Sequence, residues 1–260
     1  MLALGGRHDL FFAMPTTELA VIADVHGNAW ALEAVLADIT RRKVSSIVNL
    51  GDNANGPLDP ARSVRLLRGC DALHVRGNGD RMTGEGGTTA LGSALFARER
   101  LDVDALRWLR ELPTTLRGED WLAFHASPNS DVEYLLENVV AGKTVLAAGA
   151  EIATRLGGQA DASLILCGHT HIPRLVRLPD GRRVVNPGSV GLPAYESDMP
   201  APHVVETGSP EARYAIVRRA GAEWQVEFIS LPYDCRAAST AARAAGWMNW
   251  AKNLETGYGG

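Results

Sequence analysis

What most constrains this chain is the way its short apolar runs end. Leu19 to Ala23 stops at Asp24-Val25-His26, Ser46 to Leu50 at Gly51-Asp52-Asn53, and Ala72 to Val75 just before Gly77-Asn78-Gly79-Asp80. Trp121 to Phe124 stops at His125, and Leu164 to Cys167 at Gly168-His169-Thr170-His171. Apolar runs this short, bounded by Gly or polar residues, read as buried strands. α/β proteins build their sites just beyond such strand ends. The chain therefore needs a fold that gathers several strand ends at one place. The candidate ligands there are all oxygen or imidazole donors, the set expected of a two-metal hydrolytic site.

Between these runs the pattern is helical. Asn28 can cap a helix in which Leu32, Val35, Leu36 and Ile39 recur at i, i+3, i+4 and i+7. A Gly/Pro-rich loop (Asn55 to Pro60) precedes a helix from about Ala61 to Arg68, so the first third reads β-α-β-α-β. Thr83 to Thr89 carries glycines and no apolar period, which predicts a mobile loop suited to a substrate lid. Leu91 to Glu111 reads as two helical pieces, the second capped by Asp104, followed by a hairpin of Thr114–Leu116 and Trp121–Phe124. A helix from about Thr144 to Leu156 is expected next. The pattern then turns to β, with hairpins around Pro179-Asp180-Gly181 and Ala220-Gly221, and Ala237 to Asn249 closes as a helix.

At 260 residues the chain can bury a full core. The candidate ligands run from Asp24 to His171, so one domain over 18–260 is expected, with 1–17 as a loose N-terminal arm and translation starting at Met1 or Met14. With 46% hydrophobic and 22% charged residues and no apolar stretch near the roughly 20 residues of a membrane helix, the body reads as soluble. Arg7-His8-Asp9 interrupts the apolar N-terminal patches, which argues against a secretion signal. Cys70, Cys167 and Cys235 lack metal-type spacing and read as reduced, so a cytoplasmic protein is expected. A net charge of -4 gives no overall pull toward nucleic acid, which is unsupported as a partner but not excluded. A homo-oligomer is compatible with the sequence.

Each site residue also has an ordinary reading. Asp24 could cap a loop, Asp52 and Asn78 could be turn residues, and His125 could be a neutral core histidine. His169 and His171 are the sharper signal, because two imidazoles two residues apart after a buried strand can reach neighbouring metals. His8, His74 and His203 are read as structural. Gly142-Lys143-Thr144 resembles the end of a phosphate-binding loop, but Glu137 stands where the first glycine is required. An iron oxygenase with two histidines and one carboxylate would not need so many ligands.

In their order, Asp-x-His, Gly-Asp, Gly-Asn, a lone His and Gly-His-x-His, these pieces resemble the calcineurin-like metallophosphoesterase superfamily, specifically its small bacterial phosphodiesterase-like members. The resemblance covers roughly Leu19 to Val190. It implies an α/β (α+β by some schemes) four-layer fold, with two mixed β-sheets packed face to face and helices outside. It implies that Asp24, His26 and His171 hold one divalent metal, that Asn78, His125 and His169 hold the other, and that Asp52 bridges them. Asn186-Pro187-Gly188-Ser189-Val190 matches a further segment of these members, expected to be architectural. Many relatives have a His directly after the motif Asn, which serves as proton donor or phosphoryl contact; this chain has Gly79.

The expected chemistry is attack on a phosphoester by a hydroxide that bridges the two cations. Manganese is preferred, with iron, zinc or nickel as alternatives. Asp52, Asn78 and His125 are candidate catalytic residues, and Asp80 is a candidate replacement for the absent His. Arg76 and Arg81 flank the Asn78 loop and are candidate phosphate contacts. Loss of a general acid removes a factor of roughly a hundred to ten thousand, so phosphodiesters are favoured over monoesters. Rival readings are a phosphoprotein or dinucleoside-polyphosphate phosphatase, and a catalytically weak metal-holding regulatory scaffold.

Overall fold

A computed structural model describes residues 9–11, 18–88, 90–158, 162–221 and 223–259. In chain order the elements are β1 (Asp9–Phe11), β2 (Glu18–Ile22), α1 (Ala29–Arg41), β3 (Ile47–Asn49), α2 (Pro60–Gly69), β4 (Ala72–His74), α3 (Asn78–Glu85), α4 (Gly92–Arg98) and α5 (Val103–Glu111). There follow β5 (Thr115–Arg117), β6 (Trp121–Phe124), β7 (Glu137–Val140), β8 (Lys143–Leu146), α6 (Gly149–Leu156), β9 (Leu164–Leu166), β10 (Arg174–Arg177) and β11 (Arg183–Asn186). The chain ends with β12 (Ala194–Ser197), β13 (His203–Glu206), β14 (Ala212–Ala220), β15 (Glu223–Leu231), α7 (Cys235–Ala244) and α8 (Met248–Thr256).

Two mixed sheets carry the site. One has the order β15-β14-β2-β3-β4, with β2, β3 and β4 parallel; the other has the order β1-β5-β6-β9-β11-β10, with β6, β9 and β11 parallel. Alternation along β2 shows how they stack. Leu19, Val21 and Ala23 pack with Leu116, Trp121, Ala123, Leu164, Leu166 and Val185 of the facing sheet. Ala20 and Ile22 pack on Leu32, Val35 and Ile39 of α1. Behind the second sheet, Leu122, Phe124, Ile165 and Val184 pack on Ile152 and Leu156 of α6. Period-2 side chains with both faces covered explain why these strands are apolar throughout.

Some boundaries differ from expectation. Residues Lys143–Leu146 form β8, paired antiparallel with β7, and α6 begins only at Gly149. The β-branched pair Thr144-Val145 faces Val139 and Asn138 across that hairpin, and cross-strand pairing outweighs the apolar spacing that reads as helix. These strands join β12 and β13 in a third sheet, order β12-β13-β8-β7. Residues 83–85 belong to α3 instead of a loop; Thr89 lies outside the described residues. Asp102, not Asp104, caps α5 through the Ala105 N–H. The closing helix is two, α7 and α8, with Gly246 between them at positive φ. Within the segment 1–17, Asp9–Phe11 pairs parallel to β5; His8 and Met14 lie outside the described residues.

Candidate metal centre

The two sheets bring their strand ends to a common rim. Asp24 and His26 follow β2, Asp52 follows β3, and Asn78 opens α3 after β4. His125 follows β6, and His169 and His171 follow β9. Cross-sheet hydrogen bonds lock the rim together: the His125 ring donates from Nδ1 to Leu50 O (2.7 Å), and the His169 N–H to Asp24 Oδ2 (3.1 Å). The site residues also bend the backbone. Asp24, His26, Asp52, His169 and His171 all have φ between 52° and 70°; outside the cluster only Lys43 (61°) and Ala141 (49°) have positive φ among the described non-glycine residues. Left-handed backbone at a non-glycine residue costs of order 1 kcal/mol and clusters at functional sites.

Each imidazole has one ring nitrogen tied to a backbone carbonyl. Nδ1 of His26 donates to Asn55 O (3.0 Å), Nδ1 of His171 to Leu192 O (2.8 Å), and Nε2 of His169 to Val132 O (3.2 Å). A neutral imidazole has one N–H. The other nitrogens therefore face inward as bare acceptors, and they face each other: His26 Nε2 lies 3.0 Å from His171 Nε2, and His125 Nε2 lies 3.2 Å from His169 Nδ1 and 3.0 Å from Asn78 Oδ1. Burial, foremost, keeps His26 and His171 neutral below their ordinary value, and burial plus the facing His125 takes His169 down to about 3. The contact between Asp52 and the His26 ring is thus not an ion pair of the usual kind.

The carboxylates complete the arrangement. Asp52 Oδ2 lies 3.8 Å from His26 Nε2 and its Oδ1 lies 3.5 Å from His125 Nε2, so one oxygen turns to each imidazole pair. Asp24 is fully buried, its Oδ1 is 3.5 Å from His171 Nε2, and that oxygen has no hydrogen-bond partner. Burial and the nearby charge of Asp52 push its carboxyl well above the ordinary range. Converging lone pairs, an orphaned carboxylate oxygen and outward N–H groups anchored on carbonyls are the donor set that cations require. Asp24, His26 and His171 form one group with ligand atoms within 4.8 Å of one another; Asp24, Asp52 and His125 form a second. The residues fit two divalent ions.

Several neighbours set this geometry. Asn186 Nδ2 donates to Gly168 O and Thr170 Oγ1, and Ser189 Oγ donates to Asp24 O, so the Asn186–Val190 segment braces both motif loops as expected. Asp80 accepts from the N–H groups of Asp52, Asn53 and Gly77 and from Asn53 Nδ2, at 2.8–3.0 Å. Both of its oxygens are occupied in joining the Asp52 loop to α3, and burial, with the nearby charge of Asp52, raises its carboxyl to about 7. The arginines also have other partners. Arg76 donates to Arg110 O (3.2 Å), and Arg81 makes a two-pronged contact with Asp131 (2.6 and 3.1 Å).

Residues that the motifs do not contain also border the centre. The Tyr134 ring lies edge-on to His169 and the Tyr195 ring to His171; their hydroxyls meet each other (2.8 Å), and that of Tyr134 also meets His203 Nε2 (2.9 Å). His74 stands apart, held at about 4 by burial and packed edge-on to Trp108. Trp250 of α8 packs edge-on to His26 at 5.9 Å between ring centroids. Over Gly79, a Cβ would fall 2.0–2.3 Å from the Cγ, Nδ2 and Oδ1 atoms of Asn55. The space where a side chain at 79 would begin is taken by that carboxamide.

Two packed mixed sheets that join carboxylates and imidazoles at one rim define a metal-dependent hydrolase of the α/β class. The family model of the calcineurin-like phosphoesterase superfamily domain matches residues 18–207, and the chain belongs to that superfamily. The uncharacterized protein MJ0912 of Methanocaldococcus jannaschii is 27% identical over 253 residues, covering 86% of this chain and 91% of that protein. Among solved structures, a metallophosphoesterase from Sphaerobacter thermophilus is 26% identical with a TM-score of 0.70, covering 92% of this chain and 98% of its own. The hypothetical protein PH1004 of Pyrococcus horikoshii OT3 shares the fold at a TM-score of 0.72 and 18% identity, covering 94% of this chain and 100% of its own.

Proposed function

We propose that the chain is a phosphodiesterase that uses two divalent cations, manganese by preference. Asp24, His26 and His171 would hold one, Asn78, His125 and His169 the other, with Asp52 between them. The observation that carries this reading is the pair of facing bare ring nitrogens, 3.0 and 3.2 Å apart, each opposite one oxygen of Asp52. When bound, such ions activate water for attack and neutralise charge on phosphoryl oxygens. The protein's own part is to orient: carbonyls of Leu50, Asn55, Val132 and Leu192 fix each ring's tautomer, and the Gly79 N–H fixes Asp52 Oδ1 at 2.7 Å. No titratable side chain stands at Gly79, so esters whose leaving group needs no protonation are favoured. Arg81 reaches a phosphate only by releasing Asp131.

Residues 18–260 act as one domain in this reading, because β14 and β15 complete the sheet that carries Asp24, and α8 packs on His26. Three free cysteines favour a reducing, cytoplasmic setting. Among the described residues, no helix is long and apolar enough to cross a membrane. The test pairs metal analysis with manganese-dependent hydrolysis of an activated phosphodiester and its matching monoester, with His169→Ala as control. Two ions and diester-selective turnover, lost in the control, are expected. Two ions without turnover of either ester would replace the enzyme by a metal-holding scaffold.

A further inference from the structure

We infer that Asn55 is a positioning residue for the carboxylate of Asp52 and the residue that keeps position 79 free of a side chain. This rests on the two-ion part of the proposed function and not on hydrolysis. Asn55 is 4% exposed and touches the centre three times. Its carbonyl accepts the N–H of His26 Nδ1 (3.0 Å), its Nδ2 donates to Asp52 Oδ2 (3.4 Å), and its carboxamide lies over Gly79. Asp52 is thereby held from two sides, by Asn55 at Oδ2 and by the Gly79 N–H at Oδ1 (2.7 Å). That pair of donors sets the rotation of the carboxylate, and so which oxygen faces which imidazole pair.

The steric relation is as sharp. A Cβ at 79 would overlap three carboxamide atoms at 2.0–2.3 Å, well inside van der Waals contact. Either Asn55 keeps its place or position 79 carries a side chain. The Oδ1 atom of Asn55 is buried without a partner. A buried unpaired acceptor is costly, and a residue kept only to fill space would be better served by an apolar side chain of the same shape. The polar group is therefore retained for the N–H that it directs at Asp52.

Three changes separate the two roles. Asn55→Leu keeps the volume and removes the donor; Asn55→Ala removes both; Gly79→Ala is made in the wild type and in each of these backgrounds. Manganese binding to each metal-stripped protein is followed by calorimetric titration, and melting is followed without metal. In both Asn55 variants the affinity for one ion should fall about ten- to a hundredfold, the usual effect of losing a partner that orients a ligand. Gly79→Ala should lower the melting temperature in the wild type and in Asn55→Leu, and lower it much less in Asn55→Ala, a non-additivity expected only of side chains in contact. Wild-type affinity for both ions in Asn55→Leu, or fewer than two ions on the wild type, would overturn the positioning role. Equal cost of Gly79→Ala in all backgrounds would overturn the steric one. A wild type that binds two ions yet cleaves no ester would defeat the hydrolase reading and leave these comparisons standing.

Discussion

At Asp80 four N–H groups converge on one carboxylate, three of them from the backbone. Replacing it with Ala leaves buried donors unsatisfied, each at about 1–3 kcal/mol, so Asp80→Ala should destabilise the metal-free protein by roughly 3 kcal/mol or more in denaturant melts. A residue that serves only as proton donor would behave otherwise, losing turnover with little loss of stability, and that result would favour the catalytic reading of Asp80 over the bracing one. Asp52→Asn should reduce bound metal and abolish turnover of an activated diester; unchanged turnover would refute its bridging role. Asp24, Asp52, His169 and His171 were legible because their residue types fall in order at the ends of apolar runs. Asn55 was not legible as a partner of Gly79. Residues 24 positions apart meet only because the Asp52 loop folds over the start of α3, and nothing in either segment alone records that approach.

Elements were legible where burial follows one period and opaque where pairing decides. The 3.6-residue spacing of α1 and the turn chemistry at Pro179-Asp180-Gly181 match what forms. By contrast β8 and the start of α6 share one apolar stretch, and only the presence of β7 and β13 as hydrogen-bonding neighbours makes its first part a strand. Helix α1 is also joined to β14 by a polar contact: the Tyr214 hydroxyl donates to buried Asp38 Oδ2 at 2.5 Å, with Arg41 of the same helix and Arg42, which caps it, beside it. Burial raises the Asp38 carboxyl, but the hydrogen bonds from Tyr214 and Arg42 prevail and hold it below its ordinary value. A depressed carboxylate contributes stability that is present above the unfolded value, near 4, and is lost as pH falls through the folded one. Tyr214→Phe should therefore cost about 1 kcal/mol at neutral pH, and the gap between variant and wild type should narrow below about pH 4. A gap that widens on acidification would show that Asp38 binds its proton more readily in the folded state.

At the scale of the whole molecule, the centre is a joint between two sheets. Asp24, His26, Asp52 and Asn78 come from the rim of one sheet, and His125, His169 and His171 from the rim of the other. This joint holds bare acceptors face to face, an unpaired carboxylate oxygen and several left-handed backbone turns. The facing acceptors and the unpaired carboxylate oxygen are unfavourable between the sheets, and bound cations would offset both while leaving the backbone turns in place. An ion present at a hundred times its dissociation constant adds about 2.7 kcal/mol. For a chain of this size that corresponds to roughly 5 °C or more in melting temperature. Chelation should therefore lower the melting temperature by at least that much, and manganese should restore it. In His169→Ala the restoration should be smaller, because one of the two ligand sets is broken. The location of the effect is as informative as its size. Amides of β2, β3, β6 and β9, which end at the ligands, should gain protection from hydrogen exchange when manganese is added, while those of the β7–β8 hairpin should change little. Protection confined to the motif loops would mean that the ions order their own ligands without joining the sheets. Uniform protection along the four strands would make the cations part of what holds the two halves of the core together.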